Sequence, residues 1–374
     1  MPFSRLGART AGALLLATTV AACAGGAAES SADAERADAE RADATSPPPT
    51  TTGASPTDSA SDPDEITLGF AGDVHFAGEL APRLQDPDSA LAPIASALRR
   101  PDLMMVNLET AITDDGAPEP KQYHFRTSPA ALDALAAAGV DVATMANNHA
   151  ADYGGAGLAD TLAAVRRSPV PVVGIGTDVA AAFRPYVASV RGTRVAVLGA
   201  TTLPDRTAQA WAAGPGEPGV AVALLPEPRL VDAVRAARAQ ADVVVVYLHW
   251  GGEGEACPYW RQFRHAEALA AAGADIVVGS HAHVLLDGGW LGDTYVDYGL
   301  GNFVWYSQGS LATSSTGVLT LTVRDGTVVE DSFAPARIGS DGLPRLLTGS
   351  ARKQARARWQ GLADCTDLAA YPPR

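Results

Sequence analysis

The chain has 374 residues with 42 acidic and 28 basic side chains, a net charge of −14, seven histidines and three cysteines. No basic block interrupts this acidity, which argues against nucleic acid as a partner, because phosphate backbones are held by clustered Lys and Arg. Nowhere is there a run of about 20 apolar residues, so no permanent membrane-spanning helix is expected.

Residues 1–22 carry Arg5 and Arg9, then the apolar run 11–22, and end in Val20-Ala-Ala ahead of Cys23. This reads as a secretory signal of the lipoprotein kind, too short to remain in a bilayer as a spanning helix. Cleavage before Cys23 would leave a lipidated N-terminal cysteine, so the expected location is the extracytoplasmic face of the membrane, with the lipid as sole anchor. Residues 23–64 form the expected disordered tether. Beyond Cys23 they contain no aromatic residue and no Ile, Leu, Val or Met, repeat Asp33-Ala-Glu-Arg-Ala as Asp38-Ala-Glu-Arg-Ala, and finish in a Pro/Ser/Thr spacer.

From residue 65 onward, apolar β-branched runs alternate with alanine-rich amphipathic stretches, the pattern of an α/β protein. Strands are expected at 66–71, 103–106, 140–145, 170–175, 186–191, 194–200, 243–248, 276–279, 294–297, 317–323 and 327–333, and helices at 91–99, 129–138, 155–166, 226–240 and 259–272. Helices separate the early strands, whereas the last strands follow one another through short turns such as Arg324-Asp-Gly326. Two sheets packed face to face with helices outside are expected, in one domain over 65–335, followed by an irregular Arg-rich tail over 336–374 packed on it. Cys257 and Cys365 could form a disulfide pinning that tail or remain two free thiols.

Five of the seven histidines stand where a strand gives way to a loop, the edge at which open α/β sheets build their sites. They occur in Asp73-Val-His75, Asn147-Asn148-His149, His249-Trp-Gly and His281-Ala-His283, and Glu109 leaves another strand in the same way. Asp73, His75, Glu109, Asn148, His249, His281 and His283 supply carboxylate, imidazole and amide oxygen donors, the set that hard or borderline divalent metals prefer. Seven donors exceed what one tetrahedral ion uses. Two divalent ions of Mn, Fe or Zn type are therefore expected, held roughly 3.5–4 Å apart to polarise a phosphoryl or carbonyl oxygen. His149 is left as a proton donor to a leaving group. Asn147, Glu253 and Asn302 are candidates to line the cleft. Asp152 and Gly154 are expected to cap the helix that follows, with a contact from Asp152 to His149 as the sharper option. Arg126 would meet an anionic substrate or a surface acid. The Gly299–Asn302 stretch is expected to be a tight turn. His124 and His265 are assigned no chemistry, and His265 is expected on an exposed helix face.

The order of these motifs resembles the calcineurin-like metallophosphatases: Asp-x-His, a bridging acid, Asn-His, a lone His, then His-x-His. More closely, the chain resembles the bacterial capsule-synthesis proteins of the CapA type, associated with poly-γ-glutamate. The likeness is carried by Gly72-Asp-Val74, Asn107-Leu-Glu109, Asn147 to Gly154, His249-Trp-Gly251 with Glu253, Ala272 to Asp275, His281 to Val284 and Gly299 to Phe303, and it covers about residues 66–305. It implies a four-layer αββα sandwich. It also implies that Asp73, His75, Glu109 and His283 hold one metal, and Glu109, Asn148, His249 and His281 the other. Glu109 stands where metallophosphatases generally have Asp, as in the capsule-type proteins, whereas His75 stands where those proteins often have an apolar residue. The expected function is a di-metal hydrolase of phosphoester or related bonds serving polymer biosynthesis, in contact with a polymer-synthesis membrane complex. The alternative is a non-catalytic accessory subunit that binds an anionic polymer.

Overall fold

The structure is a computed structural model that describes residues 65–306 and 309–373. The signal, Cys23 and the tether lie outside the described residues. The chain runs from β1 (Glu65–Val74) through α1 (Ala92–Leu98) to β2 (Leu103–Leu108), through α2 (Ala130–Ala138) to β3 (Val142–Thr144), and past α3 (Gly154–Val165) to β4 (Val172–Val173). These four strands are parallel neighbours in the order written. A second sheet starts with the hairpin β5 (Tyr186–Val190) and β6 (Thr193–Thr201). It continues through α4 (Pro228–Arg238) to β7 (Val243–His249), α5 (Trp260–Ala272) to β8 (Ile276–Ser280), and the hairpin β9 (Gly288–Leu291) and β10 (Thr294–Asp297). Its order is β9-β10-β8-β7-β6-β5. The chain then returns to the first sheet with β11 (Asn302–Val304) parallel to β1, and closes with antiparallel β12 (Ser315–Arg324), β13 (Thr327–Ile338) and β14 (Pro344–Leu346), followed by α6 (Gly349–Gln360).

The two-residue period of a strand explains the layers. Ile66, Leu68 and Phe70 of β1 and Met105 of β2 pack with Val195, Val197, Val245, Tyr247 and Val278 of the second sheet in one buried cluster. The alternate residues face outward: Met104 and Val106 meet Ile94, Leu98, Leu132, Leu135, Leu158 and Leu162. On the far side Leu198, Val244, Val246 and Leu248 meet Leu230, Val234, Ala266 and Leu269 of α4 and α5. Strands buried on both faces read as unbroken apolar runs, as β7 does. The result is the expected four-layer αββα sandwich.

Several expectations change in detail. The strand expected over 170–175 is interrupted at Gly174, whose φ is 83°. The tail is not irregular: β13 runs through residue 335 to Ile338, β14 extends the first sheet, and α6 covers the end of β13. His265 is not exposed. It is buried between α4 and α5, with Nδ1 3.3 Å from Glu227 Oε1, because the α5 face it occupies packs on α4. Cys257 and Cys365 are joined as a disulfide, Cα to Cα 5.2 Å, which ties the segment after α6 to the loop ahead of α5.

Candidate metal centre

The C-terminal ends of β1, β2, β3, β7 and β8 converge on one edge of the sandwich. Asp73 ends β1, where Gly72 permits a close approach: a Cβ there would lie 1.8 Å from the carbonyl oxygen of Gly301, itself at φ 65° in the expected tight turn. Asp73 N donates to that carbonyl at 2.9 Å, and Glu109 N, just beyond β2, donates to Val74 O at 2.8 Å. His249 closes β7. His281 and His283 follow β8 at φ 87° and 57°. Positive φ is uncommon outside glycine and tends to mark sites where surrounding structure enforces a function.

Two groups of donor atoms form, each with all atoms within 4.8 Å of one another: Asp73, Glu109 and His283, and Glu109, His249 and His281. Glu109 belongs to both, the position a bridging carboxylate requires. Asn148 joins the second through Oδ1, 2.8 Å from His249 Nε2. A further group brings the exposed Glu253 beside His281 and His283.

Glu109 Oε1, His281 Nδ1 and His283 Nδ1 are buried without hydrogen-bond partners, although His283 Nδ1 stands 3.2 Å from Asp73 Oδ2. Burial, and then the neighbouring Asp73 carboxylate, push Glu109 well above the ordinary carboxylate range. Burial likewise pushes His249 well below its ordinary value and His281 down to about 3. Two buried carboxylates facing neutral imidazoles, with acceptors left over, are costly alone and are relieved by cations. The donor set fits divalent metals.

His75 is in none of these groups. Its ring stacks on Phe125 at 4.5 Å and 4°, with Trp305 edge-on at 4.4 Å. Nδ1 accepts the backbone N–H of Ala77 at 3.1 Å. A backbone amide can only donate, so a neutral ring there carries its proton on Nε2, which is buried without a partner. His249 differs in its surroundings: Nδ1 has the Ser280 hydroxyl at 2.9 Å and Asn107 Nδ2 at 3.2 Å, and Nε2 faces Asn148 Oδ1 at 2.8 Å within the second donor group.

His149 has Nδ1 2.6 Å from Asp152 Oδ2 and Nε2 3.8 Å from Glu109 Oε1. Asp152 is not a helix cap: Tyr153 occupies that position, and the Asp152 carboxylate instead accepts Phe125 N at 2.7 Å and pairs with Lys121. It is a buried acid that holds His149, the Phe125 N–H and Lys121 together. Burial lowers the His149 imidazole, and Asp152 partly offsets this. Asn147 frames the loop, donating to Asn107 Oδ1 and Leu108 O at 2.9 Å each and accepting His149 N at 3.1 Å. Asn302 donates to Thr313 O at 3.1 Å and reaches His283 O at 3.4 Å, and its Oδ1 has no partner. Arg126 is exposed, with its guanidinium 4.9 Å over the Tyr153 ring. His124 Nε2 reaches Glu119 O at 2.5 Å.

Three participants were given no role by the sequence reading, although Asn107 belonged to a quoted motif. Asn107 Nδ2 bonds Asp73 Oδ1 at 2.8 Å and touches His249 Nδ1 at 3.2 Å; an asparagine inside an apolar strand was the available signal. Ser280 and Lys121 gave none, since each acts across a long sequence separation, Lys121 also donating to Asn148 O at 2.6 Å.

The PGA biosynthesis protein CapA of Bacillus subtilis is 32% identical over 68% of this chain and 67% of its own length. The capsule biosynthesis protein CapA of Bacillus anthracis is 34% identical over 62% of this chain and 56% of its own. A protein of Mycobacterium tuberculosis named a probable polyglutamine synthesis accessory protein is 32% identical over 49% of this chain and 50% of its own length. Among solved structures, a hypothetical protein of Thermus thermophilus aligns at 17% identity and TM-score 0.44 over 72% of this chain and 98% of its own. The 5'-nucleotidase of Candida albicans aligns at 10% identity and TM-score 0.41 over 80% and 58%. The family model described as bacterial capsule synthesis protein PGA_cap matches residues 67–307, and with that span and the Bacillus subtilis relative the chain belongs to this family.

Proposed function

We propose that the protein is an exported, lipid-anchored two-metal hydrolase, acting on a phosphoester or related bond in the assembly of a poly-γ-glutamate type of surface polymer. The observation that carries this is the pair of donor groups sharing Glu109, with the His149–Asp152 pair beside them. Asp73, Glu109 and His283 would hold one ion, and Glu109, Asn148, His249 and His281 the other. Bound there, divalent ions would supply Lewis acidity to a phosphoryl or carbonyl centre.

The chain's own groups do the rest. Asp152 fixes the His149 ring through Nδ1, leaving Nε2 to exchange a proton with the leaving group. His75 is read as a donor and not a ligand: its Nε2–H, buried without a partner beside the Phe125 and Trp305 rings, would be left to bond a substrate oxygen. The relatives named for PGA, capsule and polyglutamine synthesis support the polymer context, and they give the accessory reading its footing as a second possibility.

The test is metal content of protein purified without chelator, followed by hydrolysis of p-nitrophenyl phosphate mono- and diesters with added Mn²⁺. Turnover lost on chelation and restored by metal is the expected result. Stoichiometric metal without turnover on either ester would shift the reading to the accessory subunit.

A further inference from the structure

Beside the metal centre, and outside it, a cavity of about 340 Å³ opens under α6. Such a volume falls in the range of small-molecule sites. Val284, Leu285, Phe333, Ala336, Trp359 and Leu362 give it apolar walls, with Arg358 at its edge. The Cys257–Cys365 disulfide holds the two segments that close it, carrying Ala256 and Leu362. Gly254 and Val284 of its lining adjoin Glu253 and His283, so the cavity and the metal centre share two loops.

Several polar groups around it, most of them donors, lack partners. Thr316 and Trp359 line the cavity and are buried, and neither the Thr316 hydroxyl nor the Trp359 indole N–H has a partner; nor does Arg337 Nε beside them in β13. The α6 helix carries Arg352, Lys353, Arg356 and Arg358 and no acid, in a chain of net charge −14. Among the described residues none of these four, nor Arg337, makes an ion pair with a carboxylate. Arg337 and Arg358 stand in each other's repulsive field. Apolar walls exclude a polyanion from the interior; Arg356 lies in the field of the Asp331 carboxylate, whereas Arg337 and Arg358 face each other and among the described residues have no carboxylate partner, which disfavours a cationic guest.

We infer that this cavity binds an amphiphile with a single alkyl chain and an anionic head, carboxylate or phosphate. The chain lies among Leu285, Phe333 and Trp359, and the head meets Arg358 and Arg337. The inference is independent of hydrolysis at the metal centre.

Calorimetric titration of the full chain with monomeric decanoate, decyl phosphate, decanol and decyltrimethylammonium tests it. Saturable binding of the two anions is expected, at least roughly tenfold tighter than decanol, since hydrogen bonds to a charged group are worth that much. The relative strength of the two anions identifies the head. Arg358→Glu, at an exposed position, should remove that preference, and Ala355→Phe, which places a ring in the cavity from the partly exposed side of α6, should abolish chain binding while the thermal transition stays cooperative. Equal binding of decanoate and decanol, unchanged anion binding in both variants, or no saturable binding below the micellar range would each overturn the proposal. Binding confined to anionic vesicles would overturn it in favour of a surface contact.

Discussion

Within the site, one covalent position separates roles that look alike in sequence. His283 Nδ1 lies 3.2 Å from Asp73 Oδ2, whereas a single backbone N–H, that of Ala77, fixes the His75 tautomer and turns that ring into a donor. His75→Leu should therefore keep both metals and weaken binding of inorganic phosphate to the loaded protein, and His75→Gln, whose amide also donates, should restore part of it. Loss of one metal from His75→Leu would return the residue to the ligands. The same logic applies to His149, whose Nδ1 is committed to Asp152. His149→Ala should retain metal stoichiometry while turnover falls about 10²–10⁴-fold, with a smaller loss for substrates whose leaving group needs no proton. Asp73→Ala should lose metal outright. Measuring stoichiometry and rate on all three separates donor from ligand. The motif order made these residues legible, but not their tautomers, because those depend on Ala77, Ser280 and Asp152, whose bonding partners are set by loop geometry.

For the elements, legibility followed burial. The central strands read correctly because burial on both faces leaves an unbroken β-branched run, as in Val243–His249. The edges read poorly: β11 and β14 are three residues each, too short to show a period, and β4 keeps only Val172–Val173. The α6 helix was missed because its apolar contact with the sheet rests chiefly on Trp359 among basic residues, without an amphipathic stripe. His265 misled for a related reason, a polar residue on a face that proves to be buried. Its burial lowers the imidazole from 6.5 to about 4, so the folded protein favours the neutral ring. A depressed histidine contributes stability that is fully present above the unfolded value and lost as pH falls from 6.5 towards 4. The swing is on the order of 2–3 kcal/mol. Urea unfolding at pH 7 and pH 5 should show His265→Leu losing less stability than the parent chain over that interval. Parallel losses in the two proteins would mean that His265 does not carry the acid sensitivity.

For the whole molecule, the two ends of the chain bear on where it works and how firmly its last segment is held. If Cys23 is the lipid attachment point, Cys23→Ser should appear in the soluble fraction of cells with an unchanged thermal transition, whereas retention in the membrane fraction would mean another contact anchors the protein. At the other end, the disulfide between Cys257 and Cys365 spans a sequence separation of 108 residues. Closing a loop of that size removes unfolded-state entropy worth about 4–5 kcal/mol in the chain-entropy model. The link lies between α6 and the loop before α5, and it contains no metal donor, although Glu253 is four residues from Cys257. Cys365→Ser should therefore lower the unfolding free energy by a few kcal/mol, at or below that entropic figure, while metal stoichiometry is unchanged. Hydrogen exchange should quicken in α6 and the following segment, leaving β1, β7 and β8 protected, because those strands are central in their sheets and buried on both faces, whereas the tail adds only Trp359 and Leu362 to their inner cluster. If exchange quickens equally in the central strands, or if metal is lost with the disulfide, the last segment is part of the same cooperative unit as the metal centre and not a strap laid over it.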